Sequence, residues 1–312
     1  MSLDLTGLSD YTNEHKNELI AKAVASAKSA KVLNLQTGYK SSGTVNIFDT
    51  DVQFQQDAAG RTPNGTTTLS QRVLTVGAIK VEEDIDVKGL NRVYAQHMLK
   101  AGSSDDVLPF AEMYLTRKAQ KIADALEKAI WRGDTALADN AANRNLRRFD
   151  GLIKIIDAEA SVIDGNTGNV LIATGITKEN VIAIMDGVYE SIPVEVLESD
   201  EAEIYCGFDV FRLFTQALKD ANMFHYDGKS SDYEIEIPGT NVKIIALNGL
   251  SGTSRIFAGK SENFVVGTDL EHEDEEMDLW YSKDDKIVKF DTAFKYGTQV
   301  AFPEEIVEFS LN

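Results

Sequence analysis

The 312-residue sequence predicts an α+β protein with one long helix and mixed short sheets. Three observations carry that expectation. Leu108, Ala111, Leu115, Ala119, Ile122, Leu126 and Ala129 recur three or four apart and so share one helix face. Between residues 45 and 85 apolar and polar residues alternate with the period of a strand. From Thr177 onward, short strand-like runs are interleaved with helical ones. No internal repeat or low-complexity linker interrupts the chain, and its length fits two domains or one large one with an extension.

Taken in order, residues 10–31 read as a helix capped by Asp10. Its stripe of Leu19, Ile20, Ala23, Val24 and Ala27 is thin and must dock on something else. Residues 40–88 read as two β arms joined by a polar tip at 57–65, which holds Pro63 and the Asn64-Gly65 pair. Val73, Thr75, Gly77, Ile79 and Val81 are placed on one face of the second arm. The segment has too little apolar content for a core of its own, so an extended hairpin lying on another surface is expected.

The long helix spans 105–131. Asp105 and Asp106 precede it, Pro109 sits in its first turn, and Arg117, Lys118, Lys121, Asp124 and Lys128 face away from the apolar stripe. Gly133 is expected at the C′ position. The same residues, Arg132-Gly133-Asp134, spell an adhesion tripeptide that helix termination already explains. A loop with Arg144, Arg147 and Arg148 follows, and structure restarts at 149–153. Residues 164–169 read as a turn, 177–189 and 208–221 as helices, and 203–206 as a strand. Residues 235–238 and 240–247 form a hairpin through Pro238-Gly239, with further strands at 255–259 and 264–269. Residues 287–290, 295–302 and 306–309 are read as strands of one antiparallel sheet.

Charge narrows the functional classes. Lys and Arg total 31 against 50 Asp and Glu, a net charge of −19. Residues 1–165 carry 20 bases and 22 acids, net −2; residues 166–312 carry 11 and 28, net −17. A surface built to grip nucleic acid needs Lys and Arg at the phosphates, so the balance opposes that role. Residues 19–48, in contrast, hold Lys22, Lys28, Lys31 and Lys40 and no acid. The densest acidic run, 269–278, reads as a solvated loop, because no turn glycine of a calcium loop accompanies it. No signal-peptide pattern opens the chain, and no apolar stretch approaches eighteen residues.

A search for catalytic signatures returns nothing. There is no GxxxxGK[ST], GxGxxG, GxSxG or HExxH. Cys206 is the lone cysteine and reads as a buried small hydrophobe. His15, His97, His225 and His272 are dispersed. Residues 164–169 resemble the start of a calcium loop but lack its closing Glu. No catalytic, cofactor-binding or metal-binding residue is assigned, and no cofactor is expected.

The order of elements is more specific than any motif. The helix end Leu126-Glu-Lys-Ala-Ile-Trp-Arg-Gly-Asp134 is followed by Phe149-Asp-Gly-Leu152, then by the α/β stretch with 208–221. The tail Phe290-Asp-Thr-Ala-Phe-Lys-Tyr-Gly-Thr-Gln-Val-Ala-Phe-Pro-Glu-Glu-Ile-Val307 closes the set. Over residues 30–312 this resembles the major capsid protein of tailed bacteriophages, whose fold is shared with the herpesvirus capsid floor and encapsulins.

The resemblance implies an N-terminal arm (1–39) and an extension loop (40–90) reaching over a neighbouring subunit. It implies a peripheral domain with the spine helix (91–165), an axial domain (166–284) and closing strands of the peripheral domain (285–312). It further implies a structural, non-enzymatic shell protein that self-assembles as hexamers and pentamers into an icosahedral virion capsid. That capsid would enclose double-stranded DNA without sequence-specific binding and without a membrane, and would be assembled in the bacterial host cytoplasm. The short stretch before the body implies a separate scaffolding protein; portal and decoration proteins are further implied partners. Extension-loop lysines of some relatives form isopeptide bonds; Lys80 and Lys88 are the lysines here, with no identifiable acceptor. An encapsulin-like nanocompartment is the close alternative, and an acidic hydrolase a distant one.

Overall fold

A computed structural model describes residues 26–56, 64–86, 108–167, 175–199, 201–221, 233–237, 239–269 and 276–311. The first elements are α1 (Lys28–Val32), β1 (Asn34–Gln36), β2 (Ser42–Thr50), β3 (Thr67–Thr75), β4 (Gly77–Asp86) and α2 (Leu108–Arg132). Next come α3 (Leu152–Asp157), β5 (Ile163–Asp164), α4 (Val181–Glu190), α5 (Val194–Leu197), β6 (Ala202–Gly207) and α6 (Phe208–Asp220). The chain closes with β7 (Glu234–Glu236), β8 (Lys243–Leu247), β9 (Ile256–Lys260), β10 (Phe264–Thr268), β11 (Glu276–Ser282), β12 (Ile287–Val300) and β13 (Val307–Phe309). The α+β class holds.

Strand β12 is the backbone of the first sheet. Val288, Phe290, Thr292, Phe294 and Tyr296 alternate onto its buried face, as a half-buried strand requires. One edge pairs with β4 from Ile287↔Asp86 to Tyr296↔Gly77. The other edge pairs with β11 (Glu276↔Ala293 to Ser282↔Ile287) and then with β10, which carries β1 in parallel. The second sheet has the order β5-β13-β9-β6-β8-β7. It is buried on both faces: Tyr205, Ile245, Leu247 and Phe257 face the core around α2, while Ile204, Cys206, Ile244, Ala246 and Ile256 face the core under α4 and α6. Strands buried on both faces read as continuous apolar runs, which is how KIIAL and IFAGK look in sequence.

Several expectations are corrected here. Residues 73–85 are not one strand. The chain breaks at Val76, and the buried set switches from Leu74 and Val76 to Ile79, Val81 and Ile85, so Val73 and Ile79 do not share a face. Only β2 and β3 form the free hairpin; β4 belongs to the body. Where two strands were expected over 287–302, Ile287–Val300 form one, because β4 supports it across the middle. β13 leaves that sheet and joins β9 and β5. β11 replaces part of the acidic loop, since Leu279 and Tyr281 alternate inward past Asp278. The sheets interleave along the chain, so β10 and β11 join β12 while β13 joins β6, β8 and β9. Of the helix expected over 10–31, the structure describes only α1; the remainder lies outside the described residues, as do most of the 57–65 tip and all four histidines.

Helix α2 buries Leu115, Ala119, Ile122, Leu126 and Ala129, the stripe read from sequence, and exposes Arg117, Lys121, Asp124 and Lys128. It also buries Trp131 and, unforeseen, Glu127. Trp131 stacks on Phe257 with centroids 5.4 Å apart and lies 6.1 Å from both Tyr205 and Phe264. Its Nε1 donates to Ser29 Oγ at 2.8 Å, and Ser29 Oγ donates to Glu127 Oε1 at 2.7 Å. The Ser29 backbone N–H reaches Glu127 Oε2 at 2.8 Å. One buried polar node therefore fastens α1 to α2, amid rings from both sheets.

Two glycines let backbones close on this helix. A Cβ on Gly249 would overlap the Glu127 carbonyl oxygen and the Trp131 ring. A Cβ on Gly133 would lie 2.6 Å from Phe149 O and 2.7 Å from Ala129 O. Gly133 thus serves a chain crossing, sealed by Gly151 N donating to its carbonyl at 2.8 Å, and does not take the positive φ expected of a C′ residue.

Overpacking of this kind costs roughly 1–3 kcal/mol, so Gly249→Ala should lower the unfolding free energy by about that amount in urea titrations. Burial pushes the Glu127 carboxyl above its ordinary value, while its bonds to Ser29 pull it partly back. The folded chain then holds this proton more tightly than the unfolded chain. Stability from this group is present below the ordinary carboxylate range and is lost as pH rises through the raised value. Glu127→Gln should therefore gain on wild type as pH rises above the ordinary carboxylate range, read as the change in urea midpoint difference.

Candidate assembly surfaces

The β2–β3 hairpin is paired in register from Ser42↔Thr75 to Thr50↔Thr67. Nine residues at about 3.3 Å each give an arm of roughly 30 Å. Its base is clamped to the body. Val45, Leu74 and Val76 cluster with Val265 and Ala301 against Tyr39 and Phe302. Val76 N donates to Ser41 O at 3.0 Å, Gln299 Nε2 donates to Val73 O at 2.7 Å, and Arg72 pairs with Glu159 at 2.6 Å. Farther out, small polar ties hold the ladder: Gln71 Nε2 donates to Asn46 Oδ1 at 2.9 Å, and the Thr50 and Thr67 hydroxyls meet at 2.8 Å.

Large apolar side chains are left in water along this arm. Phe54 is 100% exposed, Leu69 78%, Val52 69% and Val73 58%. Scattered exposed apolar residues need no explanation, but a set concentrated on a protruding two-stranded arm marks a surface for another chain. A lone two-stranded hairpin is also marginal in water.

The polar clusters elsewhere are committed to the fold. Lys154 Nζ bridges Asp134 (2.6 Å) and Asp150 (2.7 Å), and the ammonium holds the Asp134 carboxyl below its ordinary value. Arg132 Nε donates to Gly249 O at 2.9 Å, and the guanidinium also reaches Ser251 O. The adhesion-like tripeptide is therefore occupied in tying the end of α2 to its surroundings. Arg255 joins Asp157 to Glu308. Glu203 accepts from the Tyr205 hydroxyl at 2.8 Å, and Asp269, buried where a solvated loop was expected, pairs with Lys295 at 3.1 Å.

Among the described residues no group of three or more His, Cys, Asp or Glu could hold a metal ion. Cys206 is fully buried and its thiol is pushed up by desolvation, as the reading of a small hydrophobe requires. Lys80 lies on β4, in the body and against Glu82, not on the protruding arm; Lys88 is outside the described residues. No described helix is long and apolar enough to cross a membrane. The exposed arm was legible in sequence as a polar hairpin. The buried acid Glu127 was not, because its partner Ser29 is 98 positions away in the chain.

No protein-family model and no curated protein matches this sequence. Solved structures do. A chain of the satellite phage P4 procapsid including the size determination (Sid) protein aligns with a TM-score of 0.61 at 14% identity, covering 95% of this chain and 98% of that one. The capsid of the empty GTA particle aligns at 0.55 and 13% identity, covering 91% and 89%. Mycobacterium phage Bobi aligns at 0.54 and 10% identity, covering 90% and 89%. Across nearly its whole length this chain has the fold of tailed-phage capsid proteins.

Leu69→Ser combined with Val73→Ser should leave the urea midpoint within about 0.5 kcal/mol of wild type, as for surface substitutions. The same pair should weaken self-association, read as a shift to smaller species in sedimentation velocity.

Proposed function

We propose that this chain is the major structural subunit of an icosahedral virion capsid, self-assembling as hexamers and pentamers into a shell that encloses double-stranded DNA. One observation carries the reading: a capsid-type body projects a clamped, apolar-bearing arm that its own subunit leaves uncovered. In this reading β2–β3 is the extension loop, the first sheet with α2 forms the peripheral part, and the second sheet with α4 and α6 forms the axial part. The work is mechanical, so function is spread over interfaces and no residue is assigned a catalytic role. A separate scaffolding protein, a portal and decoration proteins are the expected further partners, with assembly in the bacterial host cytoplasm.

The charge distribution supports this role. A surface of net −19 repels DNA and keeps free subunits apart, while the lysine-bearing stretch 19–48 is the part suited to face the enclosed polyanion. The DNA is enclosed without being gripped.

Electron microscopy of the purified protein tests the proposal. Closed shells are expected; a monomer that never assembles, or one that turns over a substrate, would sink it. A small shell around an enzyme cargo would point to the nanocompartment reading. Raising ionic strength from about 0.05 to 0.5 M should promote assembly, because the Debye length shrinks from roughly 14 to 4 Å and repulsion between acidic subunits is screened. Light scattering reads this directly, and salt-induced dissolution would contradict it.

A further inference from the structure

The sequence holds two Asn-Gly pairs, Asn64-Gly65 and Asn248-Gly249. This dipeptide carries a reaction of its own. The glycine amide nitrogen attacks the side-chain carbonyl carbon of the asparagine, and no Cβ on the glycine obstructs the approach. The N–Cγ bond forms, the Cγ–Nδ2 bond breaks, and ammonia leaves with the proton of the glycine amide. The product is a cyclic succinimide. Solvent water then adds to either ring carbonyl and opens the ring to aspartate or isoaspartate. The net change converts a side-chain amide and water into a carboxylate and ammonium. One geometric condition governs the rate: the glycine nitrogen must swing over Cγ of the asparagine. A backbone held by hydrogen bonds and packing does not allow that.

The structure separates the two pairs. Asn248-Gly249 lies in a single 3-10 turn, Asn248–Leu250, with Gly249 buried. The Gly249 N–H donates to the Glu127 carboxylate, and its carbonyl accepts from Arg132 Nε at 2.9 Å. Ser251 N donates to Asn248 O at 3.2 Å. The Glu127 carbonyl and the Trp131 ring press on the same glycine. Swinging its nitrogen would strip a donor from a buried carboxylate and drive backbone into a packed ring.

Asn64-Gly65 has none of this. Both residues are exposed, and 64–66 lie outside any helix or strand. The ladder ends at Thr50↔Thr67, and the bond that closes it, Asp51 N to Thr66 O at 2.9 Å, leaves the Asn64–Gly65 link outside. Among the described residues the Gly65 N–H makes no hydrogen bond. A Cβ placed on Gly65 would meet only Asp51 O. Exposed loop backbone of this kind is where chemical change concentrates and is tolerated.

We propose that Asn64 is a site of spontaneous deamidation in the folded chain, and that the fold protects Asn248 from the same reaction. Each conversion takes the formal net charge from −19 to −20 and places the new carboxylate at the end of the ladder, where Asp51 already stands. Isoaspartate also lengthens the backbone by a methylene in the connection between β2 and β3.

Ageing the full chain tests the proposal. The protein is held in mildly alkaline buffer, where the glycine amide loses its proton more readily, and is digested in acid at intervals. Mass spectrometry follows the two Asn-Gly peptides, and isoaspartyl methyltransferase with a labelled methyl donor reads isoaspartate. In the folded chain the Asn64 peptide should gain acid and isoaspartate with time while the Asn248 peptide stays unchanged. In urea both peptides should convert at similar rates. Asn64→Gln, with Gly65→Ala as a second variant, should abolish the acidic shift that the aged wild type shows on isoelectric focusing. An Asn64 peptide that stays intact in the folded chain while it converts in urea overturns the proposal. So does equal conversion of both peptides in the folded chain. An Asn248 peptide that stays intact in urea overturns the protection by the fold, since its neighbours in sequence would then account for it. An acidic shift that persists in both variants places the modification elsewhere and overturns the assignment to Asn64.

Discussion

The joint on which this molecule depends is the buried contact of Trp131 and Glu127 with Ser29. Trp131 ends the long helix, and its ring lies among Phe257 and Tyr205 from one sheet and Phe264 from the other. Truncating such a residue typically costs about 3–5 kcal/mol, and here the loss would fall on the packing between two layers at once. Glu127 makes the joint specific. A carboxylate at 4% exposure is expensive unless its oxygens are bonded, and Ser29 supplies two donors from a segment nearly a hundred residues away. Gly249 brings a third backbone segment against the same helix turn, where any side chain would collide. Helix, N-terminal segment and both sheets are thus fixed by one small cluster.

From that rigid body the chain spends nine paired residues on each side of an arm that contributes little to its own core. The switch at Val76 makes this possible. Before it, alternate residues of β3 pair with β2 and leave Leu69 and Val73 in water; after it, alternate residues of β4 lie on the main sheet beside β12. One strand-like run thereby serves two purposes, and the clamp of Val45, Leu74 and Val76 on Val265 and Ala301 fixes the angle at which the arm leaves. An arm anchored at its base and apolar toward its end is suited to a contact outside its own subunit.

Electrostatics follows the same division. Inside the subunit the ionic groups are paired locally: Lys154 with Asp134 and Asp150, Arg255 with Asp157 and Glu308, Lys295 with Asp269. The excess acid is left to the surface, where like charge keeps copies apart until opposing surfaces meet.

The sequence by itself determined what depends on neighbours along the chain. The stripe of Leu115, Ala119, Ile122, Leu126 and Ala129 set the inner face of the long helix, alternation marked β2 and the β4 part of 73–85, and the ordered segments carried the capsid resemblance. Gly239, at φ 86°, forms the turn that its position between two strand-like runs suggested. Tertiary structure decided what depends on residues brought together from far apart. Glu127 reads as an ordinary helix-surface acid until Ser29 arrives to bond it. Gly133 reads as a helix terminator until Phe149 and Gly151 cross it. Residues 287–302 read as two strands because the pairing that runs through the middle, with β4 from far earlier in the chain and with β11, leaves no local mark. Sequence periodicity records which side of an element is apolar, whereas pairing partners, buried charges and chain crossings belong to contacts that no local pattern encodes.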